Sequence, residues 1–132
     1  AAAAAHANLD ILLGEDLCGK SRVNGADLRR KLEGLSDTGL LGEVRGMALF
    51  QTVELAPRGE EGTAFTAEQT AYLSTEIPAG LRARGVIFRA MHLGQPLLQM
   101  SPPLSISTPE IDELVGAIRD VLTDVAPKVN AL

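Results

Sequence analysis

Arg89 closes the apolar run GVIFR, and beyond the loop AMHLGQP a second apolar run, LLQM, leads into the pair Pro102-Pro103. A guanidinium is a planar two-pronged donor matched to a carboxylate, so an arginine at a strand end can capture an anion. Taken alone, an arginine in such a place is more often a surface or ion-pair residue. Register bears on the choice. Ile87 and Arg89 project to the same side of a strand, so if Ile87 faces the core, Arg89 leans over the edge of that side. His92, in the loop beside it, titrates near neutrality, but a loop histidine is most simply a solvated one.

Other groups offer less chemistry. Cys18 is the single cysteine and pairs with neither histidine in sequence, so it reads as an unreactive small core residue rather than an activated nucleophile. His6 falls in a helical run and reads as a helix-surface or interface residue. Glu60 and Glu61 sit in a Gly/Pro-rich loop, where paired acids face water, and Glu110, Asp112 and Glu113 open a helix whose dipole favours them. The glycines form neither GxGxxG nor GxxxxGK[ST], so no phosphate loop is present. One cysteine and two distant histidines do not assemble a zinc site.

These residues are carried by 132 amino acids, enough for one compact domain. The net charge is −5, and the only dense basic group, Arg29-Arg30-Lys31, points in three directions on a helix. Nucleic-acid binding needs a clustered basic face and stacking aromatics, and both are missing. No apolar stretch approaches the roughly 20 residues of a membrane span. A lone cysteine and the lack of a basic leader ahead of the alanines fit a soluble, cytoplasmic protein.

Periodicity gives the elements. Alanine and leucine from 1 to 13 predict a helix; opening on five alanines without a capping residue, it reads as truncated. Asp16 caps a second helix running to about Leu35, with Leu17, Leu28, Leu32 and Leu35 as its stripe. From 42 to 55 the period is two, with Leu49, Gln51, Val53 and Leu55 on one face, which predicts one long strand. Thr66 caps a helix that Pro78 breaks or restarts before Gly85. Residues 86–90 and 97–101 predict two short strands joined as an antiparallel hairpin. Thr108, with Pro109 after it, starts a last helix with the stripe Ile111, Leu114, Val115, Ile118, Leu122 and Val125, and Pro127 at its end. Strands and helices do not alternate strictly, so the expected class is α+β: helices covering a mainly antiparallel sheet of three to four strands.

Three stretches carry a family resemblance. AAAHANLDILLGEDL resembles the long helix that leaves the large domain of class III (ω-amino) aminotransferases, which use pyridoxal 5′-phosphate. LLGEVRGMALFQTVEL is similar to the first small-domain strand of that family, with its V-R-G element at Val44, Arg45 and Gly46. LRARGVIFRA followed by LLQMSPPLSISTPEIDELVGAIRDVL resembles the family's closing run of arginine, proline pair, linker and I-D-E-L helix. Two positions depart from it: Ala48 stands where a second glycine is usual, and MHLGQP replaces a Gly-Asp turn.

The resemblance implies that residues 1–15 are an interdomain helix and 16–132 the C-terminal small domain, folded as in fold-type I pyridoxal-phosphate enzymes. It implies that Arg89 binds the substrate carboxylate and that His92 and Gly46 line the site. The cofactor would belong to the parent enzyme's large domain, with none bound to this chain, because Lys20, Lys31 and Lys128 lie outside the family's lysine motif. The parent would be a homodimer moving an amino group between an amine or amino acid and a keto acid, and this chain alone would not be catalytic. Without the resemblance, a stand-alone carboxylate-binding or assembly module stays open.

Overall fold

The computed structural model describes residues 1–88 and 96–132. Arg89, His92 and the second half of the strand expected over 86–90 lie outside the described residues. The order is α1 (Ala2–Gly14), α2 (Leu17–Glu33), a 3-10 turn (Gly34–Thr38), β1 (Leu41–Met47), β2 (Phe50–Leu55), a short turn (Pro57–Gly59), α3 (Ala67–Ala83), β3 (Leu97–Met100) and α4 (Thr108–Val129). Among the described residues the strands form one antiparallel sheet in the order β1-β2-β3. This is the α+β arrangement that the sequence predicts.

The sheet is two-faced. Val44, Val53, Leu55 and Leu98 are buried, and against them pack Leu28 and Leu32 of α2, Leu73, Ile77 and Leu81 of α3, and Ile111, Ile118 and Leu122 of α4. The opposite face is charged. Glu43 stands directly across from Glu54, a repulsive pairing, and Arg45 offsets it by donating to Glu43 at 3.0 Å and to Glu54 at 2.5 Å.

The expected long strand is two strands. Met47 pairs with Phe50, so Ala48 and Leu49 form a tight turn, and Ala48 takes φ 50 there. That conformation is uncommon without glycine, asparagine or aspartate, which is why Ala-Leu sends no turn signal. Contacts from elsewhere hold it. The Gln51 amide donates to the Ala48 carbonyl at 2.7 Å, and α2 lays Gly25 directly on the Ala48 backbone.

Both internal prolines stay inside continuous helices. α3 runs through Pro78 and α4 through Pro127, because the buried residues on either side, Leu73 with Leu81 and Leu122 with Val129, hold each helix to the core. The lost amide bond costs less than undocking the helix. The cap of α4 is Ser107 rather than Thr108. Three residues beyond Ser107 stands Glu110, which closes a capping box by accepting from the Ser107 amide at 2.7 Å, whereas three beyond Thr108 stands Ile111. Asp16 caps α2 as expected, accepting from Gly19 at 3.1 Å. Cys18 is exposed, a correction to its reading as a core residue: Leu17, its neighbour on the helix, takes the inward direction.

α1 differs from the other helices. It is apolar, yet none of its residues is buried, and Leu9, Ile11 and Leu13 stand more than half exposed. No helix among the described residues is long and apolar enough to cross a membrane.

Candidate functional site

The segment that leads to Arg89 is set by the end of α3. Gly85, at φ 80, reverses the chain: its amide bonds the Arg82 carbonyl at 3.0 Å, and the Val86 amide reaches back to Leu81 at 2.9 Å. Residues 86–88 leave this turn without regular structure, and the rest of the expected hairpin's first strand lies outside the described residues. The described partner of β3 is β2, through Gln51↔Met100 and Val53↔Leu98, where the buried faces of those two strands complete one core.

Val86 and Phe88 pack on the core, and Ile87 is 90% exposed. The sequence argument placed Arg89 by supposing Ile87 to face the core, and the structure has the opposite side buried.

Behind residues 86–88 lies a cavity of about 450 Å³. It is lined by Val86, Ile87 and Phe88 with Met100 and Leu114, and along a second wall by Pro102, Pro103 and Ile106. The second wall belongs to residues 101–107, a strap between β3 and α4 with no regular structure. Prolines at 102 and 103 stiffen it, and the Ile106 amide closes a turn onto Pro103 at 3.0 Å. Its middle is tied to α2, where Asn24 donates from Nδ2 to the Ile106 carbonyl at 2.8 Å. On its other side Leu104 lies in a groove with Leu9, Leu12 and Leu17.

Gly46, expected to line the site, is also required by its own hairpin. Its φ is 145, and a Cβ there would stand 2.2 Å from the Phe50 carbonyl oxygen and 3.0 Å from Gln51 Oε1. Close cross-strand approach requires this glycine. Asn24 is the residue the sequence reading passed over. Its signal was an Asn-Gly pair in mid-helix, two poor helix formers side by side, each of which proves to have a tertiary contact.

The charged groups are structural. Arg29 donates to Glu33 at 2.9 Å and to the Val44 carbonyl at 3.1 Å, Arg30 pairs with Asp27, and Lys31 reaches both Asp27 and, at 2.5 Å, Asp112 on α4. Hydrogen bonds that the Lys31 ammonium donates to Asp112 and then to Asp27 hold it above its ordinary pKa, and the bond from Lys31 holds Asp27 below its own. Arg119 ties α4 to Asp37 and to the Gly34 carbonyl, and Arg84 pairs with Asp124 at 2.7 Å. His6, Glu60 and Glu61 are exposed.

A cofactor aldehyde needs a lysine that can shed its proton in an enclosed pocket. Lys31 is fixed as an ammonium between two carboxylates, Lys20 pairs with Glu15 at 3.5 Å with half its side chain exposed, and Lys128 is exposed in the last turn of α4. The lysines of this chain do not fit that role.

Comparison with known proteins agrees on one family. The family model described as aminotransferase class-III matches residues 1–122. A probable aminotransferase of Mycobacterium tuberculosis is 35% identical over 127 residues, covering 96% of this chain and 27% of that protein. A putrescine–pyruvate aminotransferase of Pseudomonas aeruginosa is 33% identical over 132 residues, covering 99% of this chain and 28% of that protein. Among solved structures, an (S)-enantioselective omega-transaminase from Thermomicrobium roseum superposes with a TM-score of 0.81 at 36% identity, over 92% of this chain and 26% of that one. A transaminase from a study of directed evolution by ancestral reconstruction reaches 0.86 at 35% identity, over 97% of this chain and 28% of that one. The chain spans about a quarter of the length of the curated relatives it matches.

Proposed function

Because the chain belongs to the class III aminotransferase family, we propose that it is the C-terminal small domain of a transaminase, with residues 1–15 as the helix joining it to a large domain. The parent enzyme moves an amino group between an amine or amino acid and a keto acid, and works as a homodimer in the cytoplasm. Pyridoxal phosphate is held by the large domain. This chain, whose lysines are exposed or ion-paired, contributes no cofactor lysine. Its contribution is Arg89, which takes the substrate carboxylate at the rim of the site, with His92 in the loop beside it.

The observation that carries this reading is the agreement of the family match over residues 1–122 with a fold that leaves its family-like first helix uncovered. A helix whose Leu9, Ile11 and Leu13 stand exposed gains stability when they are covered, and the large domain is what covers them.

The test is Arg89→Ala in the full-length enzyme, assayed with two donors of one carbon skeleton, an ω-amino acid and the matching alkylamine. A charge-assisted pair is worth about 1.5–3 kcal/mol, so kcat/KM for the acid falls about 10- to 150-fold while the amine is spared. Equal losses on both donors would overturn the assignment. Carboxylates titrated into the isolated chain bind negligibly on this reading; firm binding would favour a stand-alone carboxylate-binding module.

A further inference from the structure

β1 is the first strand of the sheet order, so one of its edges carries no strand among the described residues. Met47 and Phe50 close a tight turn and form a hydrogen-bonded pair. Alternation then points the peptide groups of Arg45 and Glu43 at β2, and those of Val44 and Gly46 away from it. An open edge of this kind is a template for a further strand. Here the Val44 carbonyl is already taken. Arg29 reaches over from α2 and donates to it at 3.1 Å, while Glu33 holds the same guanidinium at 2.9 Å.

The edge is complementary to itself. Two copies of β1 set antiparallel about Val44 would place the two Val44 residues opposite each other, each amide meeting the other's carbonyl. Glu43 of one copy would then face Arg45 of the other, twice by symmetry, and both side chains are exposed. Opposite charges directly across a strand pair attract. A register shift between Leu41 and Glu43 shortens the straight part of the edge, so the pairing would be brief and the bonds at Val44 would decide it. Arg29 stands at that centre. Its bond fills the acceptor that a second copy needs, and the symmetry would press one Arg29 against the other. We propose that Arg29 is an edge guard, which keeps β1 from pairing with β1 of a second copy of this chain. The inference does not depend on the role of Arg89.

The test uses the 132-residue chain. Arg29→Met keeps the aliphatic stem and removes both the donor and the charge. Sedimentation equilibrium then shows self-association at least about tenfold tighter than wild type, with a dimer as the new species. Because α1 is apolar and exposed, association by itself does not identify the edge. Backbone hydrogen exchange does. The Val44 amide exchanges fast at every concentration in wild type, and slows as Arg29→Met is concentrated. Glu43→Lys added to Arg29→Met sets like charges opposite each other at both ends of the pairing, and returns association to the wild-type level. Arg29→Gln, too short to reach the carbonyl and uncharged, gives the same result as Arg29→Met and replaces it if that variant folds poorly. Unchanged association in both Arg29 variants, association that leaves the Val44 amide fast, or a Val44 amide already slow in wild type would overturn the inference.

Discussion

Gly25→Ala sets two effects of opposite sign against each other, and the structure decides between them. Gly25 lies inside α2, where alanine is the better helix former by about 0.8–1 kcal/mol, so propensity alone predicts a more stable chain. A Cβ at Gly25, however, would stand 2.1 Å from the Ala48 carbonyl carbon, 2.2 Å from its oxygen and 2.5 Å from its Cα. Non-bonded carbons rest at about 3.5–4.0 Å, so α2 and the β1–β2 turn must separate by well over an ångström. All three contacts are backbone, and no side-chain rotation relieves them. Overpacking of this kind costs about 1–3 kcal/mol, occasionally more, and the large overlap places this site at the upper end. Net of propensity, Gly25→Ala loses about 1–2 kcal/mol. Gly116 is the control: it lies in α4 with nothing within 4 Å of its virtual Cβ, so Gly116→Ala gains about 0.8–1 kcal/mol. Urea unfolding followed by far-UV circular dichroism measures both as shifts in midpoint at constant slope. A Gly25→Ala midpoint at or above wild type would refute the argument, because it would mean that the helix does not rest on the turn.

Further outcomes follow from the same contacts. Ala48 holds φ 50, so Ala48→Gly relieves a left-handed alanine and raises the urea midpoint by about 0.5–1 kcal/mol equivalent, despite glycine's greater freedom when unfolded. Ser107→Ala removes the side-chain half of the α4 cap and costs about 1 kcal/mol at neutral pH. The same variant changes the acid limb. Hydrogen bonds from the Ser107 side chain and amide hold Glu110 below its ordinary 4.5, so that contribution is full above pH 4.5 and is lost as pH falls through the lowered value. Stability measured from pH 6 to 3 therefore falls less steeply in Ser107→Ala than in wild type; parallel curves would show that the cap does not hold the carboxylate.

Much of the fold was legible because local physics wrote it. The i, i+3, i+4 spacing of Ile111, Leu114, Val115, Ile118, Leu122 and Val125 predicts the buried face of α4; five are buried and Leu114 is half-buried against the core. The alternation of Leu49, Gln51, Val53 and Leu55 predicts which side of β2 faces inward, and these four are buried too. The turn between β1 and β2 was not legible, because Ala48 and Leu49 have no turn chemistry of their own and are held by Gln51 and Gly25. Pro78 and Pro127 misled for the converse reason: each weakens its helix locally, and burial of the neighbouring turns outweighs it. Thr108 looked like the cap because it stands next to Pro109, but the capping box is a spacing, and only Ser107 has its glutamate three residues on.

Of the candidate site, the sequence by itself determined the ingredients: an arginine after GVIF, a proline pair beyond it, a capped helix to end on, and the likeness of that run to one enzyme family. Which side of residues 86–88 is buried was beyond its reach. Alternation makes Ile87 and Phe88 opposite, but either could face inward until Leu114, Met100 and Ile106 supply an apolar surface for Phe88 and leave Ile87 outside. Nor could sequence place Asn24 beside Ile106, which stands 82 residues away along the chain. Period and propensity act over a few residues, whereas contacts such as Asn24 to Ile106 form only when α2, the sheet and the strap pack together.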